Sequence, residues 1–153
     1  MPAVNPRRDA DAVRAAARLA KVAGTALAEG DLSLAQYRVL VFLDRADRPA
    51  TQVAALLDVT PPTVTSLVDH LEARGLVERK ADADDRRRVM CSLTAAGRRA
   101  LQHGDALVGA RLGRLLDRLP DEEAENVRVG LESLNRAMEL ALADRFGDTA
   151  PST

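Results

Sequence analysis

The segment Ala81-Asp82-Ala83-Asp84-Asp85-Arg86-Arg87-Arg88 separates two short runs that read as extended chain. Gly75-Leu76-Val77-Glu78-Arg79-Lys80 precedes it and Val89-Met90-Cys91-Ser92-Leu93-Thr94 follows. A charged loop between two such runs predicts a β-hairpin, which forces both flanks into adjacent strands. Three consecutive guanidinium groups then stand on a projecting loop. Guanidinium groups so placed suit phosphates and narrow minor grooves, which makes double-stranded DNA the first partner to test.

The remainder of the chain has to be mainly helical. Only 2% of its residues are aromatic while 46% are hydrophobic, so Ala, Leu and Val must build the core. That composition favours close-packed helices over a sheet sandwich. A length of 153 residues fits one domain, or one compact unit with an appended oligomerisation region. No apolar run approaches the roughly 20 residues of a membrane span, and the polar, arginine-bearing amino terminus does not resemble a signal peptide. A single cysteine leaves no internal disulfide, and the expected location is the reducing cytoplasm, on the nucleoid when bound to DNA. The net charge of −1 conceals a gradient. Arg74 to Arg99 holds eight Lys and Arg against four Asp and Glu, whereas Asp121 to Asp148 holds three against eight. A basic middle marks a local binding surface that the net charge does not show.

Val13, Ala16, Ala20, Ala23 and Leu27 recur at steps of three and four, predicting a first helix from about Asp9 to Ala28 closed by Gly30. Ser33-Leu34-Ala35-Gln36 is a capping box for a second helix reaching about Arg45, with Leu32 and Tyr37 placed as its hydrophobic staple. A turn at Asp47-Arg48-Pro49 and a short helix from Thr51 to Leu57 follow. After the tight turn Asp58-Val59-Thr60, a fourth helix starts at Pro61 with Thr60 as its cap. Val64, Leu67, Val68 and Leu71 form its buried face, so Pro62, Thr63, Ser66, Asp69 and His70 point outward. Gly75 ends it. Two helices joined by a short turn, the second with a polar face, make a helix-turn-helix; the hairpin behind it makes that a winged one.

Beyond Thr94 the pattern is helical. Leu101, Val108, Leu112, Leu115 and Leu119 form one stripe and Val127, Leu131, Leu134, Met138 and Ala141 another, separated at Pro120. The acids Asp121-Glu122-Glu123 suit the amino end of the last helix. These apolar faces exceed what a small winged domain needs and predict pairing with a second copy. The expected organisation is an amino-terminal dimerisation helix (1–31), a winged helix-turn-helix domain (32–95), carboxy-terminal dimerisation helices (96–146) and a disordered tail (147–153). Gly104, Gly109 and Gly113 interrupt the helical pattern at roughly 1 kcal/mol each relative to Ala, and are expected to serve close helix approach or a kink at the dimer interface.

On these residues the chain resembles the MarR family of bacterial transcriptional regulators. Asp82-Ala83-Asp84-Asp85-Arg86-Arg87-Arg88, then Leu93-Thr94 and Gly97, resemble the family's wing signature. Thr63-Val64-Thr65, Leu67-Val68-Asp69-His70-Leu71-Glu72 and Gly75-Leu76-Val77 resemble its recognition helix and exit. The chain departs from the pattern at Pro61 and Ser66, where relatives usually carry basic residues, and at Ala83, which replaces the usual wing proline.

The resemblance implies a homodimer on a pseudo-palindromic operator, with recognition helices in successive major grooves and wings in neighbouring minor grooves. It implies a regulator, most often a repressor, relieved by a small and often phenolic or anionic effector. Pro62, Thr63, Ser66 and His70 are the base-reading candidates, and Thr60 and Thr65 the phosphate candidates. Arg86 is the minor-groove candidate, Asp85 and Arg87 are expected to pair and shape the hairpin, and Arg88 is expected to meet phosphate. An effector pocket would be lined by Leu19, Ala23, Tyr37, Leu107 and Arg111. Cys91 reads as a small buried hydrophobe. His70 and His103 lack companions at metal-ligand spacing, so neither metal nor cofactor is expected. No nucleophile–base pair or phosphate loop points to an enzyme. The competing reading is a winged-helix module whose charged hairpin meets an acidic protein.

Overall fold

The computed structural model describes residues 6–82 and 85–146; the side chains of residues 6, 8, 145 and 146 are not described. The expected tail at 147–153 and the wing residues Ala83 and Asp84 lie outside the described residues. The elements run α1 (Pro6–Ala28), α2 (Leu34–Arg45), β1 (Arg48–Pro49), α3 (Ala50–Leu57), α4 (Pro61–Ala73), β2 (Val77–Ala81), β3 (Val89–Leu93), α5 (Ala95–Leu116) and α6 (Asp121–Phe146). The chain packs as two units, residues 1–112 and 113–153.

In the first unit, Val39, Leu40 and Leu43 of α2, Val53 and Leu57 of α3, and Val64, Val68 and Leu71 of α4 are buried together. Leu27 from α1, Val77, Cys91 and Leu93 from the sheet, and Leu101 from α5 complete this core. Apart from the Cys91 thiol it is aliphatic, with Tyr37 and Phe42 only at its margin. The capping box at Ser33 forms in full: Gln36 N–H donates to the Ser33 hydroxyl at 3.1 Å, and Ser33 N–H donates to Gln36 Oε1 at 2.9 Å. Leu32 is buried and Tyr37 packs against the same core.

The hairpin forms with Val77 opposite Leu93, Arg79 opposite Cys91 and Ala81 opposite Val89. The expected turn at Asp47-Arg48-Pro49 is instead the site of a third strand. Arg48 pairs with Cys91 and Pro49 with Met90, giving an antiparallel sheet of order β1-β3-β2. A proline is tolerated there because β1 lies at the sheet edge, where no further strand asks for its missing N–H.

Gly75 has φ +67, the left-handed conformation that ends α4. Thr94 then joins the end of α4, the wing and the start of α5. Its hydroxyl donates to the Gly75 carbonyl at 2.7 Å and lies 3.1 Å from that of Leu76. It also accepts the Gly97 N–H at 2.9 Å, capping α5. Gly97 rests directly on the Leu76 carbonyl, where an added Cβ would lie 2.0 Å from the oxygen. Gly104 likewise lets α5 approach α1 and α2, since a Cβ there would stand 3.0 Å from Leu27 and 3.1 Å from Tyr37. Gly109 faces open space.

In the second unit, Leu116 and Ala124 are buried across the turn at Pro120, whose carbonyl accepts the Ala124 N–H at 3.0 Å. Along α6, Val127, Leu134, Met138 and Leu140 are exposed, Leu134 to 53% and Met138 to 51%.

Gly97→Ala pushes α5 off a backbone carbonyl that cannot rotate away. We expect it to lower stability by about 3 kcal/mol in denaturant titration; an unchanged midpoint would contradict the packing at Leu76. Cys91 is 1% exposed. Burial pushes its thiol pKa up, and the Glu72 charge adds to this against the opposing pull of Arg79. Cys91 should therefore react with a thiol reagent at neutral pH only on the timescale of unfolding, and rapid labelling of the native protein would contradict this.

Candidate nucleic-acid interface

The exposed side of α4 is a shallow groove of about 730 Å³ lined by Pro61, Pro62, Thr65, Ser66, Asp69, His70 and Ala73. Val64, Val68 and Leu71 face the core, so the helical period presents Pro62, Thr63, Ser66, Asp69 and His70 to solvent. Thr60 occupies the cap position with extended backbone, but its hydroxyl meets the Thr63 hydroxyl at 2.9 Å instead of a backbone N–H. Of the two donors a capping side chain can reach, at the second and third helical residues, Pro62 has none and only the Thr63 N–H is left. The Val64 N–H already bonds the Thr60 carbonyl at 3.1 Å. The amino end of α4 therefore offers an approaching phosphate little beyond the Thr63 N–H. Thr65 donates its hydroxyl to the Pro61 carbonyl at 3.0 Å.

At the wing, Arg88 N–H donates to the Asp85 carbonyl at 2.8 Å, closing a turn over Asp85–Arg88. The Asp85 carboxylate shapes this turn through the Arg87 backbone N–H at 3.0 Å, where pairing with the Arg87 guanidinium was expected. A carboxylate two residues upstream of an N–H closes an Asx turn without ordering a long side chain. The Asp82 N–H donates to the Arg88 carbonyl at 2.9 Å, and the Arg88 guanidinium stands 3.9 Å from the Asp82 carboxylate. Arg86 and Arg87 are exposed, and among the described residues neither guanidinium meets a carboxylate.

Between helix and wing lies an ion-pair cluster that the sequence reading missed. Arg79 on β2 donates to Asp69 at 2.6 Å and forms a second ion pair with Glu72, both acids belonging to α4. Its backbone N–H also donates to Glu72 Oε1 at 3.2 Å. Burial alone would depress the Arg79 pKa, but the hydrogen bonds and charges of Asp69 and Glu72 outweigh it and raise the value. The available signal was the spacing of Asp69 and Glu72 on one edge of the helix. At the root of the wing, Lys80 pairs with Asp47 at 3.0 Å.

Three of the residues expected to line an effector pocket, Tyr37, Leu107 and Arg111, each make a contact with another part of the fold. The Tyr37 hydroxyl donates to the Asp105 carboxylate at 2.6 Å; burial and then this contact raise its pKa. Leu107 packs on Gly30, and Arg111 forms an ion pair with Glu29. Leu19 and Ala23 sit partly buried on α1. Asp105 and Glu29 were not anticipated as partners. Among the described residues, no group of three or more His, Cys, Asp or Glu side chains is placed to hold a metal ion, and no helix is long and apolar enough to cross a membrane.

Residues 30–88 match the sequence model of the MarR family. The HTH-type transcriptional regulator YfiV of Bacillus subtilis is 31% identical over 112 residues, which is 72% of this chain and 70% of that protein. The transcriptional regulator HosA of Escherichia coli O127:H6 is 37% identical over 92 residues, covering 56% of this chain and 67% of that protein. The crystal structure of CouR from Rhodococcus jostii RHA1 bound to p-coumaroyl-CoA superposes with a TM-score of 0.65 at 30% identity, covering 88% of this chain and 95% of that one. A winged helix-turn-helix, an arginine-bearing wing and these relatives agree: the chain belongs to the MarR family of DNA-binding transcriptional regulators.

Proposed function

We propose that this chain acts as a homodimer on a pseudo-palindromic operator, placing α4 in the major groove and the wing in the adjacent minor groove. The observation that carries this reading is the pair of exposed guanidinium groups of Arg86 and Arg87, held on a turn built by Asp85. A minor groove concentrates negative potential and rewards such a group. Pro62, Thr63, Ser66 and His70 read bases from the groove on α4, while Thr60, Thr65 and Arg88 meet phosphate. With Pro61 and Pro62 removing N–H donors and no long cation among the groove residues, the wing carries an unusual share of the affinity.

The exposed apolar residues Val127, Leu134, Met138 and Leu140 of α6 support pairing with a second copy, with α1 and the helices after residue 95 as the dimerisation elements. Regulation by a small anionic effector is supported by the likeness to CouR, which binds p-coumaroyl-CoA. Tyr37, Leu107 and Arg111, with Leu19 and Ala23, are its candidate lining. A ligand that separates Tyr37 from Asp105, or Arg111 from Glu29, would alter how α5 is fixed to α1 and α2. Repression relieved by the effector is the mode we assign.

A mobility-shift titration against the DNA upstream of the chain's own gene, with a mixed-sequence duplex as competitor, tests this reading. The wild-type protein should bind the upstream duplex in preference. Arg86→Ala should weaken binding by about tenfold and, since a dimer carries two copies, lower the slope of log K against log salt by about 2. A chain that bound neither duplex would instead be a protein-interaction module, and unchanged binding by Arg86→Ala would remove Arg86 from the interface.

A further inference from the structure

The face that α4 offers to DNA contains a carboxylate. Asp69 lines the groove beside Ser66 and His70, and its side chain is 59% exposed. Glu72 lies one turn further on and is 39% exposed. Phosphate oxygens approaching such a face meet like charge, and low-dielectric protein on one side strengthens the repulsion. The groove residues supply no lysine or arginine to offset it. The nearest compensation comes from another element, the Arg79 guanidinium on β2, which binds both carboxylates at once.

We propose that Arg79 is a positioning residue for DNA binding: it offsets one of the two charges carried by Asp69 and Glu72 and holds both acids toward the wing, so that α4 presents a less negative face. The inference rests on the DNA-binding reading above but assigns a residue that touches no DNA. Its geometry favours arginine over lysine. One planar fork reaches Asp69 through one nitrogen and Glu72 through the other, while the backbone N–H of the same residue holds Glu72 from a second direction. That arrangement also joins α4 to the first wing strand.

The test measures affinity for a mixed-sequence duplex at low salt, where charge dominates binding, alongside thermal melting of each variant. Arg79→Met should bind roughly tenfold more weakly than wild type, with the deficit narrowing as added salt screens the repulsion. Adding Asp69→Asn and Glu72→Gln to Arg79→Met should restore affinity to within about threefold of wild type, because the repelling charges are gone. The double variant Asp69→Asn/Glu72→Gln, with Arg79 kept, should bind at least as tightly as wild type; it keeps the test decisive even where Arg79→Met fails to fold. Wild-type affinity in Arg79→Met, a deficit that survives in the triple variant, or looser binding by the double variant would each overturn the proposal. Failure of the wild-type protein to bind any duplex would instead overturn the DNA-binding reading itself.

Discussion

The contact of Gly97 with the Leu76 carbonyl, locked by the Thr94 hydroxyl, is the constraint on which the rest of the DNA-binding face depends. Three elements converge there: the end of α4, the strands of the wing, and the start of α5. The Thr94 hydroxyl donates to the turn leaving α4 and accepts from the first turn of α5, so one oxygen satisfies groups from both. A side chain at position 97 would part these elements. The recognition helix would then lose its fixed angle to the wing even if each element survived alone.

Charge is arranged on this frame in an uneven way. Around α4, the two acids are held by Arg79, and two prolines remove amide donors from the amino end of the helix. On the wing, Lys80 is engaged by Asp47 and Arg88 stands near Asp82, while Arg86 and Arg87 remain exposed. The acids beside the α4 face are thus only half offset, and the attraction for a polyanion sits at the tip of the hairpin. On the reading proposed above, affinity and sequence reading fall to different elements: short hydroxyls and a proline methylene surface would discriminate bases modestly, and guanidinium groups would supply the long-range pull.

Most of this frame was legible in the sequence because each boundary carries its own chemistry. The capping box at Ser33-Gln36, the proline opening α4, Gly75 with its positive φ, and the charged loop between extended runs each specify a local conformation. The family resemblance added the meaning of Leu93-Thr94 and Gly97, and the structure supplies its cause in the Leu76 contact. What stayed hidden depends on pairing across the fold. β1 is two residues long and contains a proline, so it reads as a turn until β3 is laid beside it. The Arg79 cluster needs the position of β2 against α4, and Tyr37 meets Asp105 from 68 positions away in sequence. The group that Asp85 grips is a backbone N–H, which no side-chain pattern advertises.

The division of labour between wing and helix is tested most directly by the salt dependence of binding to the upstream duplex. Two variants are compared with wild type, Arg86→Ala/Arg87→Ala on the wing and Thr63→Ala/Ser66→Ala on α4. The wing variant, which removes four guanidinium groups from a dimer, should lower the slope of log K against log salt by about 4, and the helix variant should leave the slope unchanged while reducing preference over mixed sequence. A wild-type slope in the wing variant, or a reduced slope in the helix variant, would contradict it.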